Sequence, residues 1–174
     1  MPFTLRPAVP SDAPALAHIH VTSWRETYAE LMPEAFLTRM TDDAAHERRQ
    51  RTWEEAAADP AQIVLVAEQD GEVVAFASGG PARDHPGADA ELYTLYALKA
   101  VQGRGIGRAL LHALARELHK GGANSLALWV LDVNPTRQWY VRQGGREAGE
   151  KMQAIPGGEL REIRLVWNDL AQLR

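Results

Sequence analysis

The sequence predicts an α/β fold: one mixed β-sheet with helices on both faces, formed by a single domain spanning 1–174. Three observations lead there. Runs of β-branched and apolar residues alternate with amphipathic runs at helical spacing, in the order strand, helices, three strands, helix, strand, helix, two strands. Turn signals close two hairpins, Asp70-Gly71 and Pro156-Gly157-Gly158. One strand, Leu92 to Tyr96, passes through a glycine-rich turn straight into a leucine-lined helix.

In chain order, Phe3 to Pro7 reads as a short first strand ended by proline. Ser11-Asp12 offers the cap of a first helix, with Pro14 in its first turn and Leu16, Ile19, His20 and Trp24 at helical spacing, which runs to about Glu30. Glu34 to Met40 is a short helix. Thr41-Asp42-Asp43 caps a longer one, Ala44 to about Ala58, whose charged run from His46 to Arg51 reads as a solvated face. Strands follow at Ile63–Ala67 and Val73–Ala77, and Gly79-Gly80-Pro81 through Gly87 reads as a loop. The strand opening at Glu91 and its glycine turn lead to a helix carrying Leu110, Leu111, Leu114 and Leu118, ended by Gly121-Gly122. Ser125 to Leu131 is a fifth strand. Asn134 and Pro135 open another helix, with Gly144-Gly145 as its stop. Glu147–Ile155 and Glu159–Trp167 form the last hairpin.

Composition excludes several chemistries. The chain has 174 residues and no cysteine, so disulfides, thiolate metal sites and cysteine nucleophiles are absent. With four serines and no Gly-x-Ser-x-Gly, a serine hydrolase is not expected. His18 and His20 form the only close histidine pair, and alternate residues on a helix point apart, so no metal is expected. A net charge of −4 favours neither nucleic acid nor an anionic membrane as partner. Met1–Arg6 shows no signal-peptide pattern and no apolar run approaches ~18 residues, so a cytoplasmic location is expected.

The glycine turn is the chemical centre. In Gln102-Gly103-Arg104-Gly105-Ile106-Gly107-Arg108, three alternate glycines clear side chains from the backbone. The helix behind presents unpaired N–H groups and a positive dipole end, and Arg104 and Arg108 add charge. Such a turn suits a phosphate or pyrophosphate. A dinucleotide fingerprint would place its third glycine at Arg108, and a P-loop would end in Gly-Lys-Ser/Thr rather than Gly107-Arg108-Ala109, so neither fits. A glycine turn without any ligand is the plain alternative.

The turn resembles the acyl-CoA loop of the GNAT superfamily of N-acetyltransferases, whose pattern Gln/Arg-x-x-Gly-x-Gly/Ala is matched by Gln102, Gly105 and Gly107. The element order matches that family along essentially the whole chain. Asn134, Trp139, Tyr140 and Gly144 resemble its Asn-x-x-Ala-x-x-Phe-Tyr-x-x-x-Gly-Phe segment, with Arg137 and Gly145 departing from it. The resemblance implies a mostly antiparallel sheet of six to seven strands whose fourth and fifth strands splay apart, and an acetyltransferase using acetyl-CoA. It places the pantetheine arm along the backbone of Tyr96, Ala97 and Leu98, the pyrophosphate on Gln102 to Arg108 (Gly103, Arg104, Gly105, Ile106 and Gly107 between them), and Asn134 and Arg137 near the arm or its phosphates.

The resemblance also makes Tyr140 the acid that protonates the leaving thiolate, against the bland reading of a packed helix tyrosine. Glu91 is a candidate general base or a solvated strand-end glutamate. Trp24, Arg25 and Tyr28, on one helix, are candidate acceptor-pocket residues or ordinary core. The acceptor implied is a small-molecule or peptide amine, attacked directly in a ternary complex, and a homodimer is compatible with the family. The rivals are a module of the same fold that binds or senses CoA without turnover, and an unrelated phosphate-ligand enzyme.

Overall fold

The computed structural model describes residues 2–173. The strands are β1 (Thr4–Pro7), β2 (Ile63–Gln69), β3 (Glu72–Pro81), β4 (Ala90–Ala97), β5 (Leu126–Leu131), β6 (Arg146–Ile155) and β7 (Gly158–Trp167). The helices are α1 (Ala13–Tyr28), α2 (Glu34–Thr41), α3 (Asp43–Ala58), α4 (Ile106–Lys120) and α5 (Thr136–Arg142). The strands form one sheet in the order β1-β2-β3-β4-β5-β7-β6. Each neighbouring pair is antiparallel except β4 and β5.

One face of the sheet is covered by α4, whose Leu110, Leu111 and Leu114 are fully buried at helical spacing. A short 3-10 turn, Leu170–Leu173, closes the same core with Leu170 and Leu173. The opposite face is covered by α1 and α3, which bring Leu16, Ile19 and Trp53 onto Val64, Val66 and Phe76. Burying a leucine or isoleucine of this size is worth about 1.5–3 kcal/mol. The hairpin at Asp70-Gly71 is a tight turn with positive φ at both residues, 54° and 81°.

Two local readings of the sequence are corrected. Asp12 precedes α1 but caps no helical N–H. Its carboxylate accepts from the Val9 amide at 2.8 Å and takes Arg6 bidentately at 2.8 and 3.0 Å. Arg6 also holds that carboxyl below the usual range. The second correction concerns Gly79-Gly80-Pro81, which continue β3 instead of opening the loop. They pair with Leu92, Glu91 and Ala90 beyond a bulge between Ser78 and Gly79. A Cβ at Gly79 would stand 2.7 Å from the Glu91 carbonyl oxygen, so the bare backbone lets β3 and β4 close beneath Leu114. The charged face of α3 is also less uniform than its sequence implies: Arg49 turns inward against His20.

The feature that creates a site is the join of β4 to β5. These parallel strands pair only at Ala90↔Leu126 and Glu91↔Ala127. Beyond Glu91 they diverge, and backbone groups that a continuous ladder would consume face a gap.

Candidate active site

The glycine turn stands at the wide end of this gap. Gly103 and Gly105 have φ of +77° and +82°, a conformation that side-chain-bearing residues rarely adopt. Gly105 starts α4 from that left-handed position, and the first bond of the helix runs from the Ala109 amide to the Gly105 carbonyl at 3.0 Å. The amides of Ile106, Gly107 and Arg108 therefore have no acceptor within the helix. Ile106 is buried and anchors the turn, and the Trp139 ring lies 3.7 Å from where a Gly107 Cβ would stand. The result is a concave cradle of amides at the positive end of a four-turn helix.

The β4 edge supplies a second set of groups. The Leu98 amide donates to the Val74 carbonyl at 3.1 Å, and Tyr96 lies opposite Phe76. Bonded positions alternate along an antiparallel ladder, so Tyr96 and Leu98 turn their backbone groups to β3. Leu95 and Ala97 turn theirs to the gap. The Ala97 carbonyl is taken by Gln102 Nε2 at 3.0 Å, which leaves its amide facing the gap. Of the three residues whose backbone was expected to line the pantetheine arm, Tyr96 and Leu98 are thus committed to the sheet, Ala97 remains, and Leu95 joins the exposed edge.

Two cavities meet here. The first, about 630 Å³, runs from the glycine turn along β4 and is lined by Tyr96, Ala97, Gln102, Gly103, Gly105, Ile106, Gly107, Arg108, Asn134 and Tyr140 among the residues expected from sequence. The second, about 390 Å³, opens on the α1–α2 side and is lined by Trp24, Tyr28 and Trp129, among others. Tyr28, Leu95, Tyr96, Asn134 and Tyr140 border both.

Several expected residues are elsewhere. Arg104, Arg137 and Leu98 line neither cavity, and Arg137 is ion-paired with Glu147, 2.8 Å from its Nε. Arg25 donates to the Thr41 carbonyl and ties α1 to the end of α2, because adjacent helix residues point about 100° apart. Glu91 sits at the closed end of the β4–β5 join. Its carboxylate accepts from the Arg83 amide at 2.8 Å and faces His85 at 3.6 Å, away from both cavities. Sequence reasoning in turn missed Lys99, Thr136 and Trp139, which line the first cavity. A cation at position 99, just before a glycine turn, was a usable signal for the first of these.

At the junction, Asn134 does two things. Its Oδ1 accepts from the Thr136 amide at 2.9 Å and caps α5, while its Nδ2 donates to the Tyr28 hydroxyl at 2.8 Å. Trp24 Nε1 donates to the Tyr96 hydroxyl at 3.1 Å. Tyr140, held between Trp139 and Trp167, has no hydrogen-bond partner for its hydroxyl among the described residues. Burial raises the pKa of Tyr28, Tyr96 and Tyr140 above the ordinary phenol value, so each carries its proton at neutral pH.

Comparison with known proteins decides the family. The model of the Acetyltransferase (GNAT) family matches residues 18–144, a span that contains β4, the glycine turn, α4, β5 and Tyr140. The chain belongs to this family. It is 33% identical over 172 residues to the uncharacterized N-acetyltransferase YuaI of Bacillus subtilis, covering 98% of this chain and 96% of that protein. Among solved structures, a ribosomal-protein-alanine N-acetyltransferase from Brucella melitensis is 29% identical, with a TM-score of 0.73 over 95% of this chain and 99% of its own. YncA of Salmonella typhimurium, a structure described with its cofactor acetyl-CoA, shares the fold at 24% identity and a TM-score of 0.72, covering 97% of this chain and 94% of its own. The protein is thus a GNAT N-acetyltransferase with the mixed sheet and β4–β5 splay of that fold. Among the described residues, no helix is long and apolar enough to cross a membrane.

Proposed function

We propose that the enzyme moves an acetyl group from acetyl-CoA to a primary amine by direct attack, with both substrates bound at once. The observation that carries this is a pair of cavities that share Tyr140 with Tyr28, Leu95, Tyr96 and Asn134, one reaching the glycine cradle and the other bordered by α2 and β7. The cradle fits a CoA diphosphate: its amides are unpaired, no Cβ crowds Gly103 or Gly105, and Lys99 and Arg108 lie beside it. The Ala97 amide, free of the sheet, is placed to donate to an amide or carbonyl running along the β4 edge.

Acetyl-CoA supplies an acetyl group activated as a thioester. Transfer exchanges a C–S bond for a C–N bond: the neutral amine nitrogen attacks and loses one proton to solvent water, the departing sulfur takes one up, and solvent restores the proton of the acid that supplied it. Tyr140 carries one at neutral pH, and its hydroxyl is spent on no other described residue, so it acts as the general acid. Asn134 and Tyr28, bonded to each other, fix the wall beside it. No serine or cysteine is required as an intermediate carrier, in keeping with a chain that has no cysteine. Glu91 has no part in this reading, since its carboxylate is occupied at the far end of β4.

Initial rates of thiol release test the order of events. With amine and acetyl-CoA both varied, double-reciprocal lines that intersect are expected. Parallel lines, the signature of an acetyl-enzyme, would overturn direct attack.

A further inference from the structure

The second cavity carries information about the acceptor that neither the family match nor its relatives supply. Its walls are aromatic: Trp24, Tyr28 and Phe36 from the helices face Tyr96 and Trp129 from the sheet. Among its described lining residues, Glu162 alone bears a formal charge, and no lysine or arginine lines it. Glu162 stands on β7 opposite Leu131, beyond residues 18–144 that the family model matches. Most neighbouring polar groups are already committed. Thr94 Oγ1 pairs with Ser78 at 2.6 Å, Tyr93 donates to the Pro81 carbonyl at 2.6 Å, and Tyr96 receives Trp24.

The rim shows what this environment attracts. The Lys151 ammonium lies 3.6 Å from the Glu162 carboxylate and 4.2 Å above the centre of the Trp129 ring. A carboxylate beside an aromatic face is a site for a cation. A ligand carboxylate would instead meet a like charge, and the cation beside it, Lys151, is already paired with Glu162 and Asp84. At about 390 Å³ the cavity stands near the lower end of the ~300–1,000 Å³ usual for small-molecule sites.

We propose that Glu162 determines acceptor specificity: this cavity takes a small cationic amine with an apolar or aromatic body and no carboxylate, and excludes free α-amino acids. The proposal rests on the transferase reading above. It adds that the ammonium is drawn in between Glu162 and the aromatic walls and releases a proton to water, which frees the nitrogen lone pair for attack on the thioester, while the body packs on Trp24 and Phe36.

The test uses a matched pair that differs only by a carboxylate, 2-phenylethylamine and phenylalanine. Calorimetry with acetyl-CoA alone comes first; no heat would end the transferase reading itself, separately from the acceptor. With the donor bound, kcat/KM for the amine should exceed that for the amino acid by 10-fold or more. In Glu162→Gln, the KM for 2-phenylethylamine should rise about 10-fold, the loss expected for one charge-assisted contact, with kcat and the acetyl-CoA Kd little changed. Glu162→Asp should recover part of it. Equal use of phenylalanine, a preference that survives Glu162→Gln, a loss confined to kcat, or no transfer to either compound despite donor binding would each overturn the proposal.

Discussion

On the proposed mechanism, Tyr140 carries the acid step in one side chain. It is buried between two indole rings, it borders both cavities, and burial keeps its phenol protonated. Removing only the hydroxyl leaves the packing intact. Tyr140→Phe should therefore lower single-turnover transfer by roughly 10²-fold, the lower range for acid catalysis, with the acetyl-CoA Kd unchanged. Equal single-turnover rates would take the acid role from Tyr140. Its position was legible because it follows Asn134 at a recognisable spacing on a helix the sequence announces. Glu91 was not legible in the same way. A strand's sequence says which residues alternate, not which end of the strand opens away from its neighbour, and Glu91 lies at the closed end. Glu162 was invisible for a related reason: it reaches the site from a strand joined to it only through tertiary pairing with β5.

At the scale of elements, the packing of α1 on α3 has a pH dependence built into it. His20 is buried between Trp53, Phe76 and Tyr96. Arg49 Nη1 lies 2.6 Å from one ring nitrogen and Trp53 Nε1 lies 3.3 Å from the other, which leaves no acceptor for a second proton. Burial, reinforced by the Arg49 charge, pushes the His20 pKa down to about 2. The unfolded chain binds this proton near pH 6.5, so the stability contribution is complete above that pH and is lost as pH falls below it. Between pH 8 and pH 5 the loss is about 2 kcal/mol. Thermal melts should show Tm falling across that range, and His20→Gln should flatten the fall relative to the parent. An equal slope in both proteins would remove His20 as its source. Nothing in the local pattern hinted at this pair, because Arg49 sits within a charged run that reads as solvated.

At the scale of the whole molecule, hydrophobic periodicity and turn chemistry were enough to place the seven strands and five helices found among the described residues. The Asp70-Gly71 turn, the leucine stripe of α4 and the glycine stop after it each took the conformation their local signal favours. Extended glycines were misread at Gly79 and Gly80, where the reason for glycine is a close approach by β4 that only the tertiary structure contains. The architecture also joins fold to function. A sheet that opens between its fourth and fifth strands leaves two cavities meeting at one point, and α4 aims its amides into one of them.

That arrangement is tested most directly at Gly107, which lies in the first turn of α4 without positive φ and where a Cβ would meet Trp139 at an ordinary 3.7 Å. Gly107→Glu replaces a poor helix former and adds an acid at the helix N-terminus, gains of up to about 1 kcal/mol each, yet puts a carboxylate where the diphosphate would lie. Calorimetric titration of acetyl-CoA into both proteins should give one-site binding to the parent and an affinity at least 10-fold weaker in the variant, whose Tm is unchanged or higher. No heat with the parent, or equal affinity in the two, would contradict the placement of the donor on this turn.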